Sequence, residues 1–133
     1  MNRLLAQRPY RVFDKHNPFW NGQDRKQNPK YVHYVQTRLN DILRVRGYVS
    51  LNEALELLGF ERTVRAGQQG WIRDVDPEEG DGHIDFGVWA EGFARGKDWL
   101  NGDLDTKTLY FNVDRVTISM PRRIKKLRAE GKI

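Results

Sequence analysis

Three histidines, one acidic run and one glycine-framed segment are the places where this chain could do chemistry. His16 lies in an irregular N-terminal stretch, His33 on a predicted helix beside its apolar stripe, and His83 in an acidic turn. None is tied by spacing to a serine nucleophile. His83, between Asp81 and Asp85, has the chemistry of an acid/base group, but a solvated charged turn accounts for the same residues. The run from Asp74 to Asp85 resembles a calcium loop until its register is tried. An EF-hand loop needs Gly at position 6, a β-branched residue at 8 and oxygen ligands at 1 and 12. With Gly82 and Ile84 in the first two places, Pro77 and Val88 fall on the ligand positions and offer no side-chain oxygen. Gly92-Phe-Ala-Arg-Gly-Lys97 has one residue too few between its glycines for a phosphate loop, and Asp98 stands where Ser or Thr would hold magnesium. With no cysteine there is no disulfide, thiolate nucleophile or Cys-ligated zinc. This reading assigns no catalytic residue, no cofactor and no metal site. A divalent-metal enzyme built on Asp81 and Asp85 is its remotest alternative.

Charge and aromatic placement say more. Residues 1–47 hold ten Lys/Arg against three Asp/Glu, and residues 115–133 hold seven against one. Residues 71–114 reverse the sign, with four against eleven. Basic ends around an acidic middle are the pattern of segments that touch something else. The N-terminal stretch interleaves Arg3, Arg8, Arg11 and Lys15 with Tyr10, Phe13, Phe19 and Trp20, anchors that a purely solvated linker avoids. Near the other end come Arg122, Arg123, Lys125, Lys126 and Arg128. The expected contact residues are Arg8, Tyr10, Arg11, Phe13, Phe19, Trp20, Arg122, Arg123, Lys125 and Lys126. Such segments suit an acidic protein face, including that of a second copy, or nucleic acid through phosphate neutralisation and stacking.

The elements that must position these residues read as follows. Residues 1–29 lack periodicity and carry Pro9, Pro18 and Pro29, which predicts an extended arm. From Asn28-Pro29, Val32, Val35, Leu39, Ile42 and Leu43 recur at helical spacing up to a stop at Gly47. Ser50-Leu-Asn-Glu53 forms a capping box for a short helix through Leu51, Ala54, Leu55 and Leu58, ended by Gly59, with Phe60 packing back. That second helix carries Glu53 and Glu56 but no Arg or Lys, so it is unsuited to a DNA major groove. Strands are predicted at 71–73, 84–89, 109–111 and 116–118, a helical turn within 90–100, and a basic helix in 120–131. The fold class is α+β: a helical hairpin packed on a small antiparallel sheet, with an extended basic N-terminal arm (1–29), a body (30–120) and a basic C-terminal helix (121–133). Deleting residues 1–28 is expected to leave the body folded.

Tyr48-Val-Ser-Leu-Asn-Glu53, Leu58-Gly59, Arg62-Thr63, Gly70-Trp71, Ile84-Asp-Phe-Gly87 and Phe111-Asn-Val-Asp114 stand in an order that resembles a small family of uncharacterised bacteriophage and prophage proteins. The likeness covers residues 48–118 and departs at Arg115, where a Gly is usual. It implies a viral context and little about chemistry; the expected location is the virion, assembled in the bacterial host cytoplasm. No stretch approaches the ~20 apolar residues of a membrane span, and the first residues lack the apolar run of a signal peptide. The expectation is a non-enzymatic minor structural or assembly component of the particle, held by its arms to other virion proteins or to copies of itself in an oligomeric assembly. The alternative is a phage nucleic-acid-binding or regulatory protein using the same arms.

Overall fold

Val32, Val35, Leu39 and Leu43 fall on one face of a helix, and that face is the floor of the core. In the computed structural model, which describes residues 8–133, they are at most 2% exposed on α1 (Gln27–Arg46). The helix stops at Gly47, whose φ of 96° lets its amide reach back to Leu43 O. A three-residue strand, β2 (Tyr48–Ser50), follows. It leads into α2 (Leu51–Leu57), where Ser50 and Glu53 close both halves of the capping box. The short α3 (Val64–Gly67) is capped by the Thr63 hydroxyl. β3 (Gly70–Ile72) returns antiparallel to β2. After a long irregular stretch come α4 (Phe93–Leu100), β4 (Thr106–Tyr110) and α5 (Met120–Ala129).

The α+β class is as expected, but among the described residues the β structure is two separate two-stranded ribbons, one of β2 with β3 and one that joins β4 to a strand near the N-terminus. The second ribbon corrects the N-terminal boundary. β1 (Tyr10–Asp14) lies inside the predicted arm and pairs with β4, Tyr10 opposite Tyr110 and Phe13 opposite Lys107. Phe13 is completely buried, with the rings of Trp20, Phe60 and Trp99 set edge-on around it at 5.3, 6.2 and 6.4 Å between centroids. Trp20 also stacks on Trp99. An aromatic cluster of that kind removes enough apolar surface from water to hold the segment to its own body. Residues 10–20 are therefore part of the fold. Arg3 and the rest of residues 1–7 lie outside the described residues.

Residues 84–89 alternate as a strand should, with Ile84 and Phe86 buried, yet they form none. Their backbone is held largely by side chains. Ile84 N donates to Asn40 Oδ1 at 2.8 Å, and Asn40 Nδ2 returns a bond to Ile84 O at 2.9 Å. Phe86 N donates to Gln36 Oε1 at 2.9 Å, and Asp85 N to Asn112 Oδ1 at 2.7 Å. The polar positions of α1 thus occupy part of what a neighbouring strand would have used, while Phe86 O accepts from the Tyr110 amide at 2.9 Å. Gly87, with φ 68°, brings the chain so close to Tyr110 that a Cβ would sit 2.9 Å from that residue's own Cβ. Residues 116–118 are likewise irregular rather than extended.

Candidate interaction site

Beside β1 lies a cleft of about 530 Å³ whose lining contains three arginines and no carboxylate. Arg8, Pro9, Tyr10, Arg11 and Val12 form one wall. Thr63, Arg65 and Gln69 stand opposite, with Leu51 and Ala66 also lining it. The opposite wall is set by Asn52, 5% exposed, whose amide accepts from Thr63 N at 3.0 Å and donates to Thr63 O at 2.9 Å. Thr63 in turn caps α3 through Ala66 N at 3.0 Å, which fixes where Arg65 emerges. The β1 wall is fixed by pairing. Phe111 N donates to Pro9 O at 2.9 Å, so residues 9, 11 and 13 turn their backbone groups toward β4. Residues 10, 12 and 14 therefore direct theirs to the other edge of the strand, which pairs with no strand among the described residues. There, Tyr10 O accepts from Arg11 Nη1 at 2.7 Å and Asp14 O from Asn17 N at 2.9 Å. The amide and carbonyl of Val12 have no partner among the described residues, and the Val12 side chain is exposed.

A second basic surface is α5, where Arg122, Lys125 and Lys126 are exposed. Its inner side is anchored. Met120 is buried, and Arg123 Nη1 lies 3.0 Å from Asp114 Oδ2, both side chains nearly or fully enclosed. Asp114 Oδ2 also accepts from Ile72 N at 2.9 Å, while Oδ1 is buried without a partner. Burial raises the Asp114 pKa to about 6, against the opposing pull of Arg123, the Ile72 amide and Arg115. A cavity of about 380 Å³ separates α5 from the acidic turn, with Arg122, Arg123 and Lys126 lining it beside Asp74, Asp76 and Glu79.

The expected contact residues divide accordingly. Arg8, Tyr10 and Arg11 come together in the cleft; Arg122, Lys125 and Lys126 share α5. Phe19 is about half exposed and lies edge-on to Tyr31 at 5.8 Å, apart from both groups. Phe13 and Arg123 are corrections to the expected set. The first is core, and the second spends its guanidinium on Asp114. Trp20, half-buried against Trp99, is a packing residue as well. Arg65, Thr63 and Asn52 join the site from outside the expected set. The available signal is Thr63 placed as an N-cap ahead of Val64-Arg65.

The acidic turn serves architecture. Asn112 Nδ2 donates to Asp81 Oδ2 at 2.9 Å and His83 O at 3.0 Å, and its Oδ1 accepts from Trp71 Nε1 at 3.0 Å. Burial works against the Asp81 charge, but the Asn112 and Arg115 bonds prevail and hold its pKa below the usual range. Among the described residues no group of three or more His, Asp or Glu is placed to share a metal ion, and no helix is long and apolar enough to cross a membrane. Lys107 is the one fully buried Lys or Arg there: Nζ is 3.8 Å from Glu91 Oε1 and makes no hydrogen bond. Burial lowers its pKa, with Glu91 acting the other way.

Residues 5–120 match a family described as a family of unknown function, DUF6353. No curated protein and no solved structure matches the chain.

Proposed function

The chain belongs to the DUF6353 family of unknown function, which brings no activity with it, and we propose from the molecule's own surfaces that it is a non-enzymatic docking protein. In the viral context that the sequence resemblance implies, it serves as a minor structural or assembly component of a bacteriophage particle. It is held in the virion by its basic surfaces against acidic faces of other virion proteins.

One observation carries this reading. Arg8, Arg11 and Arg65 in the cleft, and Arg122, Lys125 and Lys126 on α5, have no carboxylate within ion-pair distance among the described residues. Unpaired cations gathered on a rigid scaffold steer and orient an anionic partner. The carboxylates of the acidic turn already look inward to Asn112 and across to α5, which favours an acidic face on another protein over one on a second copy.

Gradient-purified particles and the unbound lysate, compared by peptide mass spectrometry, test the proposal. Presence in the particle at a fixed stoichiometry is expected. Protein found only free in the lysate overturns it and brings forward binding of nucleic acid, for which the cleft arginines and Tyr10 supply phosphate contacts and a stacking face.

A further inference from the structure

We propose that the cleft beside β1 is a strand-addition site for an acidic, extended segment of a partner protein. This deepens the docking reading and rests on it, since it names the site and the chemistry of what docks there.

Three features converge. The first is the free edge of β1. Its pairing with β4 leaves the Val12 amide and carbonyl directed outward and unpartnered, next to the Tyr10 amide, which also has no partner among the described residues. An unpaired row of this kind is a template for another strand. Second, the edge opens into a space. The cleft of about 530 Å³ lies between β1 and the α3 wall, room for one extended backbone. The third feature is sign. Arg8 and Arg11 on the strand side and Arg65 on the opposite wall surround that space without a carboxylate among the lining residues.

The charge also selects the occupant. A second copy pairing edge to edge would bring its own Arg8 and Arg11 against these, a repulsion that protects edge strands from self-association. A strand with glutamate or aspartate on one face meets the arginines instead. Its alternate residues, spaced by the period of two, would contact the exposed Val12 side chain.

The test uses the full-length, ¹⁵N-labelled protein and a seven-residue peptide alternating glutamate with valine. Three comparison probes accompany it: the same peptide with a central proline, the same peptide with lysine for glutamate, and a short oligo-dT. The glutamate peptide is expected to bind and to slow hydrogen exchange at the Val12 amide about tenfold or more. Binding should weaken about tenfold with the proline peptide, which cannot donate to the edge, and likewise with the Arg65→Glu variant, whose exposed position leaves folding intact. No binding by the glutamate peptide overturns the proposal. So does equal binding of the proline peptide or stronger binding of oligo-dT, either of which makes the cleft a plain anion site. The two proposals fail separately. Protein absent from the particle while the peptide still protects Val12 removes the virion reading alone. Protein present in the particle without peptide binding removes the strand-addition site alone.

Discussion

Asp114 and Lys107 both carry an ionisable group into the interior, and the fold treats them differently. Asp114 has Arg123 and the Ile72 amide on one oxygen and nothing on the other. Burial prevails, and its pKa rises from 3.8 to about 6. The native state then holds a proton that the unfolded chain has released. The stability contributed by this group is therefore fully present below pH 4 and lost as pH rises through about 6. Through this one carboxyl the fold is weaker by about 2 kcal/mol at pH 8 than at pH 4. Melting temperatures measured from pH 4 to 8 should show wild type gaining on Asp114→Asn as pH falls. A constant gap across that range would show that Asp114 titrates alike in the folded and unfolded chain. Lys107 has only Glu91, 3.8 Å away and partly exposed. Its ammonium is buried with an unused set of donors, so Lys107→Met should stabilise the protein by about 1–4 kcal/mol in urea unfolding. A loss of stability would mean that the Glu91 pairing outweighs desolvation.

The element scale shows what a sequence can reveal. α1, the capping box, the stop at Gly47 and the basic helix near the C-terminus are legible because each is specified locally, by periodicity or by residues within one turn. β1 is not, since Pro9 and Pro18 flank a stretch with no visible alternation, and its partner β4 lies about a hundred residues away. The stretch 84–89 misleads for the opposite reason. Its pattern is strand-like, but Gln36, Asn40 and Asn112 take its backbone groups, a long-range event that no local pattern records. The contact residues divide along the same line. Exposed α5 positions follow from helical spacing, whereas the burial of Phe13 follows from pairing with Lys107 across the ribbon. If β1 is a structural element, Phe13→Ala should cost about 3–5 kcal/mol, the range for emptying a large core site. A chain lacking residues 1–28 should fail to show a cooperative thermal transition by circular dichroism. A truncated chain that melts cooperatively near the wild-type temperature would restore the detachable arm.

At the scale of the whole molecule, the reversal of charge along the chain becomes a spatial arrangement. The basic C-terminal helix sits across a cavity from the acidic turn of its own body, Arg122 and Lys126 lining one side and Asp74, Asp76 and Glu79 lining the other. Asp74 pairs with Arg73 at 3.1 Å, but these groups make no close pair across the cavity, so each attraction is worth well under 1 kcal/mol and is screened within a Debye length of about 8–10 Å. Their sum still biases α5 toward the body, where Asp114–Arg123 and Met120 fasten it. Reversing two of the cavity's exposed charges, Arg122→Glu with Lys126→Glu, leaves those anchors untouched and turns the attraction into repulsion. The double variant should lose about 1 kcal/mol at low ionic strength, equivalent to about 3–5 °C in melting temperature, and should recover most of it in about 0.5 M salt. A deficit that ignores salt would place the effect in helix packing rather than in charge. The absence of any deficit would mean that the acidic turn does not hold α5. In that case the turn's carboxylates are free to receive the basic cleft of a neighbouring copy, and sedimentation at low salt would then show self-association.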